Sequence, residues 1–213
     1  VVPTCVNLQL HTFNSPGYQS IVDQVVKFFG KTPVHSLPPP VNFPGAGVYA
    51  IYCLGDSKYY QHFGVANREQ CLDPIYVGKA VPRGWRTGRV QTSDNEQPLC
   101  SRLREHGRSI AHGAGLVVDD FRCRFVILGG METDLISSVE SQMIRKFDPL
   151  WNTTVDGFGN HDPGSGRHNQ ARSEWDVLHP GRPWADRLTG TPLQRSDVLA
   201  KIRQRFRNST TAS

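Results

Sequence analysis

The chain has 213 residues, of which 38% are hydrophobic, 20% charged and 9% aromatic, a balance that excludes a disordered or fibrous protein. Lysine and arginine total 24 against 19 acidic residues, giving a net charge of +5, and 18 of the 24 are arginine. Arginine is the side chain suited to bidentate contact with phosphates and guanine edges. No apolar run approaches the ~20 residues that a membrane span requires, so no membrane association is expected.

Val1-Val2-Pro3-Thr4-Cys5 has neither the basic region nor the apolar stretch of a signal peptide. The five cysteines, at 5, 53, 71, 100 and 123, form no Cys-x-x-Cys pair, which argues against a structural zinc site. Reduced thiols in a cytoplasmic protein are expected.

Ile21, Val22, Val25, Val26, Phe28 and Phe29 recur at helical spacing, and Gly30 supplies a stop, so a helix is predicted from Tyr18. Leu37-Pro38-Pro39-Pro40 through Phe43-Pro44-Gly45 favours an extended strap. Residues 1–45 therefore read as an N-terminal helical arm with a proline-rich linker. Gly47 to Cys53 is β-branched and aromatic and reads as a strand. After a polar stretch from Gly55 to Asp73, a second strand is predicted at Pro74 to Gly78, with Lys79 immediately after it. Val81 to Gln97 reads as a loop.

Pro98 suits the first turn of a helix running to Ile110, with Leu99, Leu103 and Ile110 on its apolar side. Phe121, Cys123, Phe125 and Ile127 alternate with Arg122, Arg124 and Val126, the pattern of a strand with one buried face. Thr133 can cap a helix reaching Phe147, with Ile136, Val139, Met143, Ile144 and Phe147 facing the core. This β, β, α, β, α order predicts an α+β core over 46–155: a small, mostly antiparallel sheet flanked by helices. Residues 156–213 form a basic extension, irregular until a helix at about Ser196 to Arg207.

Glu140 lies on or beside the apolar stripe of its helix, where a carboxylate is costly unless paired or bound to a cation. It reads either as a boundary residue reaching solvent or an arginine, or as a ligand for Mg²⁺, which takes one or two protein carboxylates. Arg102 and His106 are an i, i+4 pair on one helical face. They read either as part of a solvated face with Glu105, or as a phosphate clamp beside a proton shuttle. Tyr49 and Tyr76 read as half-buried sheet residues or as phenols that orient water, and Asn152 as a turn residue.

Together these residues form an ordered set. Gly47-Val48-Tyr49 and Tyr76-Val77-Gly78 resemble the paired Gly-Ile-Tyr and Tyr-Ile-Gly strands of the GIY-YIG nuclease superfamily. Arg102-x-x-x-His106 resembles its helix motif, Glu140 its metal-binding glutamate, and Trp151-Asn152-Thr153 its asparagine segment. The tyrosines lie 76 − 49 = 27 positions apart, more than is usual in the superfamily, so 55–73 is expected to be an insertion.

The short chain with its own arm and tail is most similar to the type II restriction endonuclease branch. That resemblance implies cleavage of double-stranded DNA at a palindromic site by a homodimer in the bacterial cytoplasm. A cognate methyltransferase is implied in the cell, though not as a physical partner. It also implies one Mg²⁺ held by Glu140, with Mn²⁺ able to substitute. Tyr49 would orient and deprotonate water, His106 would adjust its acidity, and Arg102 would stabilise the phosphoryl charge. Tyr76, Lys79 and Asn152 would complete the catalytic set.

Two basic surfaces are available for DNA. One comprises Arg83, Arg86, Arg89, Arg104 and Arg108, with Trp85 among them; the other comprises Arg167, His168, Asn169, Gln170 and Arg172. The arginine excess favours a G·C-rich site. Dimerisation is expected through the helix at Ile21–Phe29 or the C-terminal helix, unless both cap their own core. A structure-specific or homing-type nickase and a non-catalytic nucleic-acid-binding module are the alternatives. His161, His168 and Asn169 lack the strand–helix context of an HNH nuclease.

Overall fold

The computed structural model describes residues 6–85 and 95–211. Its centre is a four-stranded antiparallel sheet of β1 (Val34–Ser36), β2 (Gly47–Cys53), β3 (Tyr76–Ala80) and β4 (Phe121–Ile127), in the order β1-β4-β2-β3. Seven α-helices accompany it among the described residues: α1 (Tyr18–Phe29), α2 (Gln61–Asn67), α3 (Pro98–His112), α4 (Ile136–Phe147), α5 (Leu150–Thr153), α6 (Glu174–Leu178) and α7 (Arg195–Thr211). The predicted α+β arrangement is what forms.

All seven residues of β2 are buried because this strand is central and covered on both faces. Tyr49, Ile51 and Cys53 face a core shared with Leu99, Leu103, Trp151, Trp175 and Val198. Val48, Ala50 and Tyr52 face a second core shared with Val22, Val26, Phe29, Ile136, Val139 and Met143. On the face of β4 expected to be buried, Phe121 and Cys123 are buried but Phe125 is only half-buried and Ile127 exposed. Arg124 and Val126 of the opposite face are buried too, because the second core covers that side of the strand.

Several boundaries differ from expectation. The second strand begins at Tyr76 rather than Pro74 and includes Lys79, because Lys79 pairs with Val48 and extends the ladder. The helix before Phe147 starts at Ile136. Thr133 belongs to a 3₁₀ segment, Gly130–Leu135, and its hydroxyl donates to the Leu128 carbonyl instead of capping α4. β1 and the short helices α2, α5 and α6 were not anticipated from the pattern. The 55–73 stretch contains α2, whose flanking Tyr60 and whose Phe63 enter the first core.

The segments that composition sets apart share these cores wherever they are described. α1 buries Val22, Val26 and Phe29 and leaves Ile21 and Phe28 exposed, and the Arg124 side chain donates to the Gly30 carbonyl at its end. α7 buries Val198 and Ile202 in the first core. Both helices named as dimer candidates therefore cap their own core through these side chains. The four described cysteines are buried free thiols, and no helix among the described residues is long and apolar enough to cross a membrane.

A buried pair ties the C-terminal segment to α2 and to the end of α3. Tyr60 Oη and His179 Nε2 lie 2.6 Å apart, and His179 Nδ1 lies 2.9 Å from the Ala114 carbonyl. Burial drives the His179 pKa down to about 4, against roughly 6.5 in an unfolded chain. The unfolded chain thus binds more protons between these values. The stability this contributes is full above pH 6.5 and falls as the pH drops towards 4, by about 2–3 kcal/mol. In urea unfolding, His179→Gln is expected to lose about that much less stability than the parent between neutral pH and this point.

Candidate active site

The strand register builds the site. Tyr49 lies opposite Gly78 and Ile51 opposite Tyr76, so the two tyrosines are diagonal neighbours on one sheet face, with ring centroids 6.3 Å apart. A Cβ on Gly78 would stand 2.4 Å from Tyr49 Oη and 3.0 Å from the Tyr76 ring, so a glycine is needed for the phenols to converge. The 27-residue separation leaves this pairing intact, because the intervening chain leaves the sheet at Cys53 and returns at Tyr76.

α3 packs across that face and contributes His106 and Arg102. Tyr49 Oη and His106 Nε2 share a hydrogen bond of 2.6 Å, and both residues are buried. The His106 ring stacks on Phe158 at 4.6 Å and meets the Tyr76 ring edge-on at 5.2 Å. Burial, reinforced by the charge of Arg102, holds the imidazole well below the ordinary histidine range. Burial likewise raises the Tyr49 phenol well above its usual value, with Tyr76 adding to the rise and Arg102 opposing it. The resting pair is therefore neutral at physiological pH.

Arg102, rather than Arg104, faces the cluster. Its Nη2 donates to the Gly159 carbonyl at 2.6 Å. Its Nη1 lies 2.7 Å from both Glu105 Oε2 and His161 Nε2, while His161 Nδ1 is 2.6 Å from Glu105 Oε1. Gly159 also fits closely under Tyr76, because a Cβ there would meet the phenol oxygen at 2.5 Å.

Lys79 and Glu140 approach from the other side of edge strand β3, where Lys79 Nζ and Glu140 Oε2 form an ion pair of 2.7 Å. Glu140 is neither free in solvent nor paired with an arginine. Its charge reaches round the strand edge and helps raise the pKa of Tyr76, behind burial as the main cause and against the pull of Arg102. The phenols, His106 and Arg102 thus gather on one sheet face, and the Lys79–Glu140 pair lies across the edge strand, linked to them through the charge of Glu140 on Tyr76.

Asn152 is committed to the backbone. Its Oδ1 accepts from Val77 N at 2.8 Å and its Nδ2 donates to Val77 O at 2.9 Å. With the Trp151 N–H donating to Ile75 O at 2.9 Å, the side chain clamps the outer edge of β3 and fixes Tyr76 and Lys79 in place. Its amide is spent on the strand rather than on the side chains gathered at the site.

The basic candidates divide. Arg83 and Arg108 are exposed and Arg104 is half-buried, whereas Arg86 and Arg89 lie outside the described residues. Arg108, Glu105, His161 and Trp184 border one open cleft beside the Arg102 cluster, with a volume of about 380 Å³. Arg167, Asn169 and Gln170 are exposed on an irregular lobe, anchored where Gly190 N donates to Gln170 O at 3.0 Å. His168 lies 3.8 Å from Asp162 and Arg172 lies 3.4 Å from Asp186, which limits the freedom of these two. His161, Phe158 and Gly159 join the site without having been singled out for it, since a glycine-rich loop offers no periodic signal.

A guanidinium, an imidazole–phenol pair and an edge carboxylate in one cluster can bind a phosphodiester, move a proton and hold a hard cation. The family comparison agrees. A model of the Eco29kI GIY-YIG domain matches residues 41–206, well over half of the chain and the whole of this cluster. A comparison with curated proteins gives no match. From the register of Tyr49 and Tyr76, the α3 residues that meet them and this match, the chain belongs to the Eco29kI GIY-YIG family, a family of restriction-type nuclease domains that act on DNA.

Proposed function

We propose that the protein is a type II endonuclease that hydrolyses both strands of double-stranded DNA at a palindromic, G·C-rich site as a homodimer. The observation that carries this reading is the convergence of Tyr49, Tyr76, His106 and Arg102 around a strand edge where Glu140 waits on Lys79. Two copies related by a twofold axis match the symmetry of a palindrome. The setting we assign is a bacterial cytoplasm in which a separate methyltransferase protects the host site.

The donor set at the strand edge suits Mg²⁺. One carboxylate is present, no cluster of three or more His, Cys, Asp or Glu ligands exists among the described residues, and a phosphate with water would complete the shell. Bound at Glu140, Mg²⁺ or Mn²⁺ would supply Lewis-acid stabilisation of charge on the phosphate and the departing 3′ oxygen. With Glu140 engaged in this way, Lys79 would have its charge free for a phosphate.

Tyr49 takes the role of water-orienting group. In the tautomer of the neutral His106 that leaves Nε2 unprotonated, the Tyr49 hydroxyl donates to it, and its oxygen lone pair can accept a proton from the attacking water as its own proton passes to Nε2. Tyr76 walls the other side of the water. Arg102, held by Gly159 and His161, presents its charge to the phosphoryl oxygens in competition with Glu105.

A digest of several plasmids with Mg²⁺, followed by sequencing of the ends, tests the reading. Discrete repeated fragments with a shared terminal sequence are expected, and nicked circles alone would favour the nickase. For DNA binding, the loop basic set with Arg104 and Arg108, and the lobe around Arg167 and Arg172, imply several phosphate contacts. Raising salt from about 50 to 200 mM should then weaken affinity by roughly 10³-fold or more. Fluorescence anisotropy across that range checks this, and a flat response counts against the two surfaces.

A further inference from the structure

Arg182 belongs to no motif, yet its guanidinium, 1% exposed, organises the loop that touches Arg102. Nε and Nη2 donate to the two carboxylate oxygens of Asp176, each at 2.7 Å. The other N–H groups point at one short loop: Nη2 to the Gly157 carbonyl at 2.9 Å, and Nη1 to the carbonyls of Phe158 at 3.1 Å and Asn160 at 3.4 Å. Trp175 and Trp184 cover the guanidinium at 4.7 and 4.6 Å. The five donors of an arginine are thus matched by five acceptors, the condition under which a buried charge is tolerated.

The carbonyl that Arg182 leaves out is the one the site uses. Gly159 O turns away from Arg182 and accepts from Arg102 Nη2 at 2.6 Å. Two residues further along, His161 reaches Arg102 Nη1, and the preceding Phe158 stacks on His106. The anchor is fixed, because Ser173 caps α6 and its hydroxyl donates to Asp176 Oδ2 at 2.7 Å, while Trp175 is buried in the first core.

We propose that Arg182 is a positioning residue for Arg102. By holding the carbonyls of 157, 158 and 160 it forces the 159 carbonyl and the His161 ring onto Arg102, and so sets the direction in which that guanidinium meets a phosphate. This rests on the reading of Arg102 as the phosphate-stabilising group. Lysine at 182 would keep a charge beside Asp176 but has no planar fork with which to hold three carbonyls.

The test uses the full-length protein with its cleaved DNA under single-turnover conditions, below the unfolding temperature of every variant. Arg182→Lys, Arg102→Ala and the double variant are compared for cleavage rate and, separately, for DNA affinity. Arg182→Lys is expected to cleave about 10- to 100-fold more slowly, as a misplacement of the order of 1 Å would cause, with affinity unchanged within about 3-fold. The double variant is expected to be no slower than Arg102→Ala, because the effect passes through Arg102.

A parent-like rate in Arg182→Lys, an equal loss of rate and affinity, or multiplying costs in the double variant would each overturn the proposal. Parent-like cleavage by Arg102→Ala would instead retire the reading of Arg102, and the positioning role with it. If Arg182→Lys does not hold its fold, Asp176→Asn keeps the guanidinium but loosens its fork. The same selective slowing then supports the role, and a parent-like rate refutes it.

Discussion

Tyr49→Phe is expected to slow single-turnover cleavage by about 10²- to 10⁴-fold, the range of a positioned proton-transfer group, while DNA affinity stays at the parent value. The substitution leaves the ring over Gly78 in place and removes the one oxygen that touches His106 Nε2. Among the described residues no other hydroxyl is hydrogen-bonded to His106. Tyr76 meets the His106 ring only edge-on, and its oxygen sits under Gly159.

The cost to the fold is bounded separately. Removing the hydroxyl would strand one buried imidazole nitrogen, a penalty of about 1–3 kcal/mol, which urea unfolding measures directly and which does not mimic a lost chemical step in folded protein. Because burial depresses the His106 pKa and raises that of Tyr49, the relay stays in its working protonation state from well below pH 6.5 upwards. A Tyr49→Phe protein that cleaves at the parent rate would place water activation elsewhere.

The parts of this site that could be read from the sequence are those carried by regular elements. Arg102 and His106 declare themselves because four residues along a helix return to the same face, and α3 does present both to the sheet. Tyr49 and Tyr76 declare themselves through β-branched neighbours, yet their meeting depends on a register that no local pattern contains. Gly78 has to lie opposite Tyr49, and it does so because β3 runs on to Ala80.

Lys79 illustrates the same limit. Read as the residue after a strand it is a loop cation, whereas pairing with Val48 puts it inside the strand and aims it at Glu140. α2 was illegible because Gly64 interrupts seven residues of weak apolar pattern, and β1 because three residues beside prolines gain strand form only from β4. The chemistry of Asn152 suggests a turn residue or a supporting member of the catalytic set, whereas its amide is spent on both backbone groups of Val77. Arg182 was invisible for a related reason: its five acceptors lie 6 to 25 residues away in a segment without periodicity.

Glu140→Gln is expected to lower cleavage by about 10³-fold, the worth of several kcal/mol of charge stabilisation, and to abolish its dependence on Mg²⁺ or Mn²⁺ concentration in the micromolar-to-millimolar range. Glutamine preserves the shape of the side chain and a hydrogen bond to Lys79 while removing the charge a hard cation needs. Folding should hardly respond, since the partner Lys79 is more than a third exposed and such a pair contributes on the order of 1 kcal/mol or less. DNA affinity in the absence of metal should hold or rise, because the Lys79 ammonium loses its counter-charge at the strand edge where we propose that the phosphate binds.

Calorimetric metal titration of the two proteins separates the possibilities without reference to turnover. Loss of a metal isotherm together with loss of cleavage assigns the ion to this carboxylate. Retention of both would show that Glu140 serves only to hold Lys79 and β3 against α4, leaving the phenols and Arg102 to act with a cation bound elsewhere.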